Sequence, residues 1–144
     1  MRVKEWMSSS PTTTDPKTSM SEARELMRRK GIRHLLVTEG ERLVGIVTDR
    51  DIRLNLPSPA TSLSVWEINY LLTKLTVGDV MTKFVITVEP GRPIEEAARL
   101  MLEHRIGALP VVEDGLLVGI LTETDLLRAF VYSQSAIVPV TARG

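Results

Sequence analysis

The chain has no cysteine, so a disulfide framework, a thiol nucleophile and a thiolate metal site are all excluded, and a cytoplasmic setting is the simplest expectation. Side-chain amides are almost absent: Asn55, Asn69 and Gln134 are the only three, a scarcity of thermolabile residues in keeping with a thermophilic source. No apolar run approaches the roughly 18 residues of a membrane span, and Met1-Arg2-Val3-Lys4-Glu5-Trp6 lacks the apolar core of a signal peptide. The expectation is a soluble chain without membrane contact. Charge of one sign does not dominate either, because 18 basic residues balance 18 acidic ones. The summed field neither draws the molecule onto nucleic acid nor repels an anion, so any anion site must be local.

Catalytic and DNA-binding signatures are missing as well. His34 and His104 are separated in the motif pattern, no serine has a nucleophile-elbow setting, and neither metal-ligand spacing nor a P-loop occurs. Neither a helix-turn-helix nor a basic stripe is present. These gaps argue against an enzyme, a catalytic cofactor, a metal and a nucleic-acid partner.

What is present is an ordinary globular composition, 43% hydrophobic and 25% charged over 144 residues, enough for one domain or two small units sharing a core. Within it lies a duplication. Residues 3–53 align with residues 77–127 at a constant offset of 74 without a gap, and 18 of the 51 positions are identical. The pairs include Met7 with Met81, Pro16 with Pro90, and Ala23-x-x-Leu26-Met27 with Ala97-x-x-Leu100-Met101. The longest stretch sets Leu43-Val44-Gly45-Ile46-Val47-Thr48 against Leu117-Val118-Gly119-Ile120-Leu121-Thr122, and ends at Asp51 and Asp125.

Each copy reads as a short leading helix, then strand, helix, strand, strand and helix. In the first, Thr12 to Thr14 forms a brief strand and Ser19-x-x-Glu22 a capping box, opening a helix over roughly 20–30 with Ala23, Leu26 and Met27 on one face. In the second, Pro93 near the start and Glu95 and Glu96 in the first turn mark a helix ending near His104. Leu35 to Val37 and Leu43 to Val47 are buried strands joined by Glu39-Gly40-Glu41, and Asp114-Gly115 makes the equivalent turn. The closing helices run from about Asp49 to Leu54 and from about Glu123 to Tyr132.

Between the copies Pro57-Ser58-Pro59 breaks the chain, and Ser64-x-x-Glu67 caps a linker helix carrying Val65, Ile68, Leu71, Leu72 and Leu75. The expected divisions are residues 1–56 and 75–131 for the repeats, 57–74 for the linker and 132–144 for a tail. The expected fold class is α/β of the α+β type, two β-α-β-β-α repeats packed sheet to sheet as a pseudo-twofold disc.

Both copies resemble the CBS (cystathionine β-synthase) domain. Its opening Val-x-Asp-Val-Met-Thr stands at Val77 to Thr82, its Ile-x-x-Leu-Pro-Val-Val at Ile106 to Val112, and its Gly-Ile-Leu-Thr-x-x-Asp at Gly119 to Asp125. The first copy departs from the pattern with Trp6 for the second valine and Leu36 for the proline. The resemblance covers about residues 1–131. Such tandem pairs, or Bateman modules, bind adenosine compounds (AMP, ADP, ATP or S-adenosylmethionine) in clefts between the repeats. The resemblance therefore implies a free-standing, non-enzymatic energy sensor, associated as a homodimer, whose bound state is read by a regulated protein.

An adenine nucleotide requires an apolar slot for the base, a carboxylate for the ribose diol, and cations or N–H groups for phosphate. Asp51 and Asp125 are the ribose candidates, since an ionised carboxylate accepts from both hydroxyls. Thr48 and Thr122, three residues earlier at strand-to-helix junctions, point toward the same space, and a phosphate could sit on that helix end. Thr-x-x-Asp reads equally as a capping box, with no ligand involved. Copy one carries cations where copy two does not: Ile32-Arg33-His34-Leu35 stands against Ile106-Gly107-Ala108-Leu109. By the resemblance, Arg33, His34 and Arg50 face phosphate beside Asp51. The alternative is a basic helix end continuing Arg28, Arg29 and Lys30. Net charge is +3 over residues 1–56 and −4 over residues 75–130, which favours one preferred anion site.

Family geometry pairs the aspartate of one repeat with the base slot of the other. The stronger site would combine Thr48, Asp51, Arg33 and His34 with Phe84, Val85, Ile86, Ile106 and Ala108. The weaker would combine Thr122 and Asp125 with Ser10, Pro11, Thr12 and Ile32. These apolar residues also read as plain core. The rival reading of the whole chain is a ligand-free adaptor that dimerises and holds a partner through Trp66, Tyr70 and the apolar tail Ala136-Ile137-Val138-Pro139-Val140.

Overall fold

Ser19 and Ser64 cap helices where the sequence marks them, in a computed structural model that describes residues 1–55 and 64–137. In chain order the elements are α1 (Val3–Trp6), β1 (Thr13–Thr14), α2 (Met20–Lys30), β2 (His34–Glu39), β3 (Arg42–Thr48), α3 (Asp49–Leu54), α4 (Val65–Lys74), α5 (Val77–Val80), α6 (Ile94–His104), β4 (Ala108–Glu113), β5 (Leu116–Thr122) and α7 (Glu123–Ile137). Ser19 Oγ accepts the Glu22 N–H at 3.2 Å to start α2, and Ser64 Oγ accepts the Glu67 N–H at 3.2 Å to start α4. Gly31 closes α2 in the left-handed region at φ 65°, while α6 closes the same way on a non-glycine, Arg105 at φ 54°. The expected break at Pro57-Ser58-Pro59 lies outside the described residues, as does Val138-Pro139-Val140 of the tail.

The two hairpins repeat the sequence offset bond for bond. His34 pairs with Thr48 through to Glu39 with Arg42, and Ala108 pairs with Thr122 through to Glu113 with Leu116. A register shift falls at Val37/Thr38 in one and at Val111/Val112 in the other. Asp114 and Gly115 both take positive φ, 54° and 81°, as a two-residue type I′ turn requires. The first strand differs between copies. β1 runs parallel to β2 through Thr13–Leu36 and Thr14–Val37, whereas copy two retains a lone bridge, Val88 with Val111. Pro110 stands where copy one has Leu36 and has no N–H with which to extend that ladder.

α7 runs five residues past the Tyr132 end read from the sequence, to Ile137. No glycine or proline falls between Tyr132 and Ile137 to stop it. The Tyr132 ring also lies 5.9 Å from that of Trp6.

The chain forms two compact units, and they are not the two contiguous repeats. One comprises Thr12–Val85; the other joins Met1–Pro11 to Ile86 and the residues beyond it. Each repeat's leading helix is thus built into the unit formed by the rest of its twin. In the Thr12–Val85 unit, Ile46 and Thr82 exchange backbone hydrogen bonds at 3.0 and 2.8 Å. In the other, Ser8 and Ile120 exchange them at 2.9 and 3.0 Å. The first unit buries Met20, Ala23, Met27, Leu35, Val37, Val47, Ile52, Leu72 and Val77 together. The second buries Val3, Val88, Ile94, Ala97, Met101, Leu109, Val111, Leu121 and Ala129. Val3 and Val77, equivalent in the duplication, are each fully buried in the other copy's core. Removing such a valine from water contributes about 1.5–3 kcal/mol to holding the exchanged helix in place.

Candidate ribose and phosphate site

Thr48 ends β3 and caps α3, and this junction fixes the Asp51 carboxylate. Asp51 Oδ2 accepts the Thr48 N–H at 2.8 Å, and the Asp51 N–H donates to Thr48 Oγ1 at 3.2 Å, a reciprocal capping box. The bland reading of Thr-x-x-Asp is therefore realised, and it leaves something over. Asp51 is half-buried, and its Oδ1 has no partner among the described residues. A carboxylate with one oxygen anchored and the other open is a pre-oriented acceptor for a hydroxyl.

The junction of β5 and α7 repeats the cap and then differs. Asp125 Oδ2 accepts from the Thr122 N–H at 2.8 Å and from Thr122 Oγ1 at 3.1 Å, and the Asp125 N–H lies 3.4 Å from Thr122 Oγ1. Its Oδ1 is held by Arg128 Nη1 at 3.2 Å. Asp125 is buried at 9% exposure with both oxygens engaged. Sequence reading singled out both aspartates and missed Arg128. The signal was available, since Arg128 stands three residues beyond Asp125, one turn along the helix, where copy one has Leu54 beyond Asp51.

The helix end of copy one has little left for a phosphate. The Thr48 and Asp51 N–H groups are spent in the box, and the Asp49 N–H donates to the Arg33 carbonyl at 2.9 Å. Anion contact in this unit therefore falls to side chains. Arg33 and Arg50 are exposed. His34 opens β2 directly across from Thr48 and is half-buried. Burial lowers its pKa below the usual 6.5, so at neutral pH it is chiefly the uncharged imidazole. Counted as a cation in the sequence, His34 is instead a neutral group able to donate one N–H. Arg53 is engaged elsewhere, with Asp49 at 3.1 Å.

Arg33 also lines a groove of about 710 Å³ with Arg24, Arg28, Ile32 and Asp49, on the side where α2 meets α4; Thr48, His34 and Asp51 do not line it. In the second unit the Gly107 carbonyl accepts the Glu123 N–H at 3.0 Å, matching Arg33 and Asp49. A Cβ on Gly107 would lie 3.3 Å from the Glu123 carboxylate, so this position in copy two faces an acid.

The expected base-slot residues divide between the units. Thr12, Ile32, Phe84 and Val85 share a unit with Thr48 and Asp51; Ser10, Pro11, Ile86, Ile106 and Ala108 share one with Thr122 and Asp125. Ile32 packs on the core of its unit, and Ile86 and Ile106 on theirs, so part of the plain-core reading holds for these three. Ala108 is buried at the start of β4, while Phe84, at 95% exposure, covers nothing in its own unit. Thr12, Pro11 and Val85 are half-buried and Ser10 is exposed.

A duplicated mixed α/β fold of five strands, with a Thr-x-x-Asp junction closing each copy, defines a tandem-repeat module. The CBS domain model matches the chain twice, at residues 3–58 and 77–132, and the chain belongs to the CBS domain family. It is similar to an inosine-5′-monophosphate dehydrogenase of Korarchaeum cryptofilum, 42% identical over 115 residues, which take up 79% of this chain and 21% of that protein. The chain thus spans about a fifth of that relative. Among solved structures it is similar to CBSX2 in complex with AMP, at 33% identity and a TM-score of 0.74, covering 92% of this chain and 98% of that one. It is also similar to the CBS domain pair of protein MJ0100 in complex with 5-methylthioadenosine and S-adenosyl-L-methionine, at 31% identity and a TM-score of 0.73, covering 90% and 99%.

Proposed function

We propose that the chain is a regulatory module that binds an adenine nucleotide (AMP, ADP or ATP) and signals by a ligand-dependent change of conformation to a regulated protein, without catalysis. The observation that carries this reading is the Oδ1 of Asp51, open among the described residues, on a carboxylate held in place by the Thr48 box, with His34 directly across the hairpin from Thr48. Both solved relatives named above hold adenosine compounds. Asp51 is the ribose contact, Arg33 and Arg50 supply charge for phosphate, and neutral His34 supplies an N–H. Asp125 is the second ribose residue. S-adenosylmethionine, which shares the diol and carries a cation instead of phosphate, is the competing ligand. Calorimetric titration with AMP, ADP, ATP and S-adenosylmethionine tests the reading. Nucleotide at 100 times its Kd should also add about 2.7 kcal/mol of stability, read as a rise in Tm; no binding and no rise with any of the four would end it.

Self-association is the second part of the proposal. Trp66 and Tyr70 on α4 are 84% and 60% exposed, and Leu127, Phe130 and Val131 on α7 are 59–66% exposed. Such apolar faces suit a second copy of the chain or a partner protein, as the adaptor reading also requires. Sedimentation of the apo protein as a monomer would remove the homodimer. The soluble, cytoplasmic setting belongs with this proposal; among the described residues no helix is long and apolar enough to cross a membrane.

A further inference from the structure

The two aspartates are equivalent in the duplication and unequal in their bonding. Asp51 Oδ1 has no partner among the described residues, whereas the Oδ1 of Asp125 is taken by Arg128 at 3.2 Å. The cause is a one-residue difference in helix phase. Copy one has Arg53 and Leu54 where copy two has Leu127 and Arg128. Arg53, one position earlier, projects about 100° around the helix from the Leu54 position and pairs with Asp49 at 3.1 Å, not with Asp51. Arg128, at i+3 from Asp125, lies over it.

We infer that Arg128 is a specificity-determining residue that competes with ligand for Asp125, so that the Asp51 site fills first and the Asp125 site only when Arg128 swings away. This rests on the ribose role proposed for the two aspartates. The Arg128 side chain is 52% exposed, so the pair is screened and displaceable. The competition therefore weakens the second site by about two- to fivefold and does not close it. Displaced Arg128 is free to return to solvent.

The test compares Asp51→Asn with Asp51→Asn/Arg128→Leu, titrated calorimetrically with AMP and with S-adenosylmethionine. In both, only the Asp125 site retains its carboxylate. Competition predicts that losing Arg128 tightens AMP about two- to fivefold. Simple electrostatics predicts the opposite, since removing a cation weakens an anion. The reciprocal pair, Asp125→Asn against Asp125→Asn/Leu54→Arg, should show the Asp51 site weakened by the same factor, and 71% exposed Leu54 accepts arginine without disturbing the core. Unchanged or weaker AMP binding on losing Arg128, or no effect of the arginine at position 54, overturns the inference while leaving the ribose role standing. A wild-type chain that binds neither ligand defeats the proposed function itself.

Discussion

Met81 lies against the face of Gly45: a Cβ added to Gly45 would come within 2.6 Å of Met81 Sδ and 3.0 Å of the Thr82 carbonyl. Met7 and Gly119 repeat this in the other unit, where a Cβ would meet Met7 Sδ at 2.7 Å and the Ser8 carbonyl at 2.7 Å. Neither glycine has positive φ. Each is needed because a neighbouring strand segment approaches closely, through the Ile46–Thr82 and Ser8–Ile120 bridges.

Gly119→Ala should therefore destabilise by about 1–3 kcal/mol, because the clash includes a backbone oxygen that cannot turn aside. Gly45→Ala should cost less, about 1 kcal/mol or under, since the backbone oxygen it meets lies at 3.0 Å, against 2.7 Å for Gly119. Urea unfolding of the two variants checks the order; equal losses would show that the backbone contact does not matter.

Asp51 has two roles that separate by measurement. Asp51→Ala removes the cap and the ribose acceptor together, costing about 0.5–2 kcal/mol of stability and about 1.5–3 kcal/mol of nucleotide binding. That second loss is roughly ten- to more than a hundredfold in Kd. Thr48→Ala removes the hydroxyl from the cap but keeps the carboxylate, so stability should fall while affinity falls far less. Melting curves and calorimetry on both variants decide; Asp51→Ala with unchanged affinity takes Asp51 out of the site.

His34 sets a pH dependence of the unliganded protein. Its folded pKa lies below the unfolded value near 6.5 because burial disfavours the imidazolium. Between those two values the unfolded chain binds more protons than the folded one, so His34 lowers stability progressively as pH falls below about 6.5 and has no such effect well above it. The difference in urea midpoint between pH 7.5 and 5.5 should shrink in His34→Gln. A variant with the same pH dependence as wild type would show that His34 protonates freely in the folded state.

Arg105 occupies a left-handed cap, at φ 54°, where the first copy uses Gly31 at φ 65°. Arg105→Gly should raise stability by about 0.5–1 kcal/mol by relieving the Cβ contact, and Gly31→Arg should lower it. Thermal melts of the pair test this; a loss in Arg105→Gly would mean that the arginine side chain stabilises its surroundings by more than the strain.

Much of this molecule is local and so could be read along the chain. Ser19 and Ser64 cap helices, Asp114-Gly115 turns a hairpin, and the pairs in β2–β3 recur in β4–β5 at the offset of 74, because hydrogen bonds between residues three or four apart, or across a two-residue loop, depend on little beyond those residues. The overrun of α7 past Tyr132 came from a missing stop signal, which sequence marks less firmly than a start.

The duplication, the CBS pattern and the Thr-x-x-Asp junctions were determined by the sequence alone, since repeats and caps are properties of residue order. Tertiary structure decided the rest. It set Met81 against Gly45 and Met7 against Gly119, built each leading helix into its twin's core, lowered the pKa of His34 by burial, and, among the described residues, left one aspartate oxygen open while filling the other. Those outcomes depend on which distant groups share a small volume, and burial and bond competition exist only after the chain has folded.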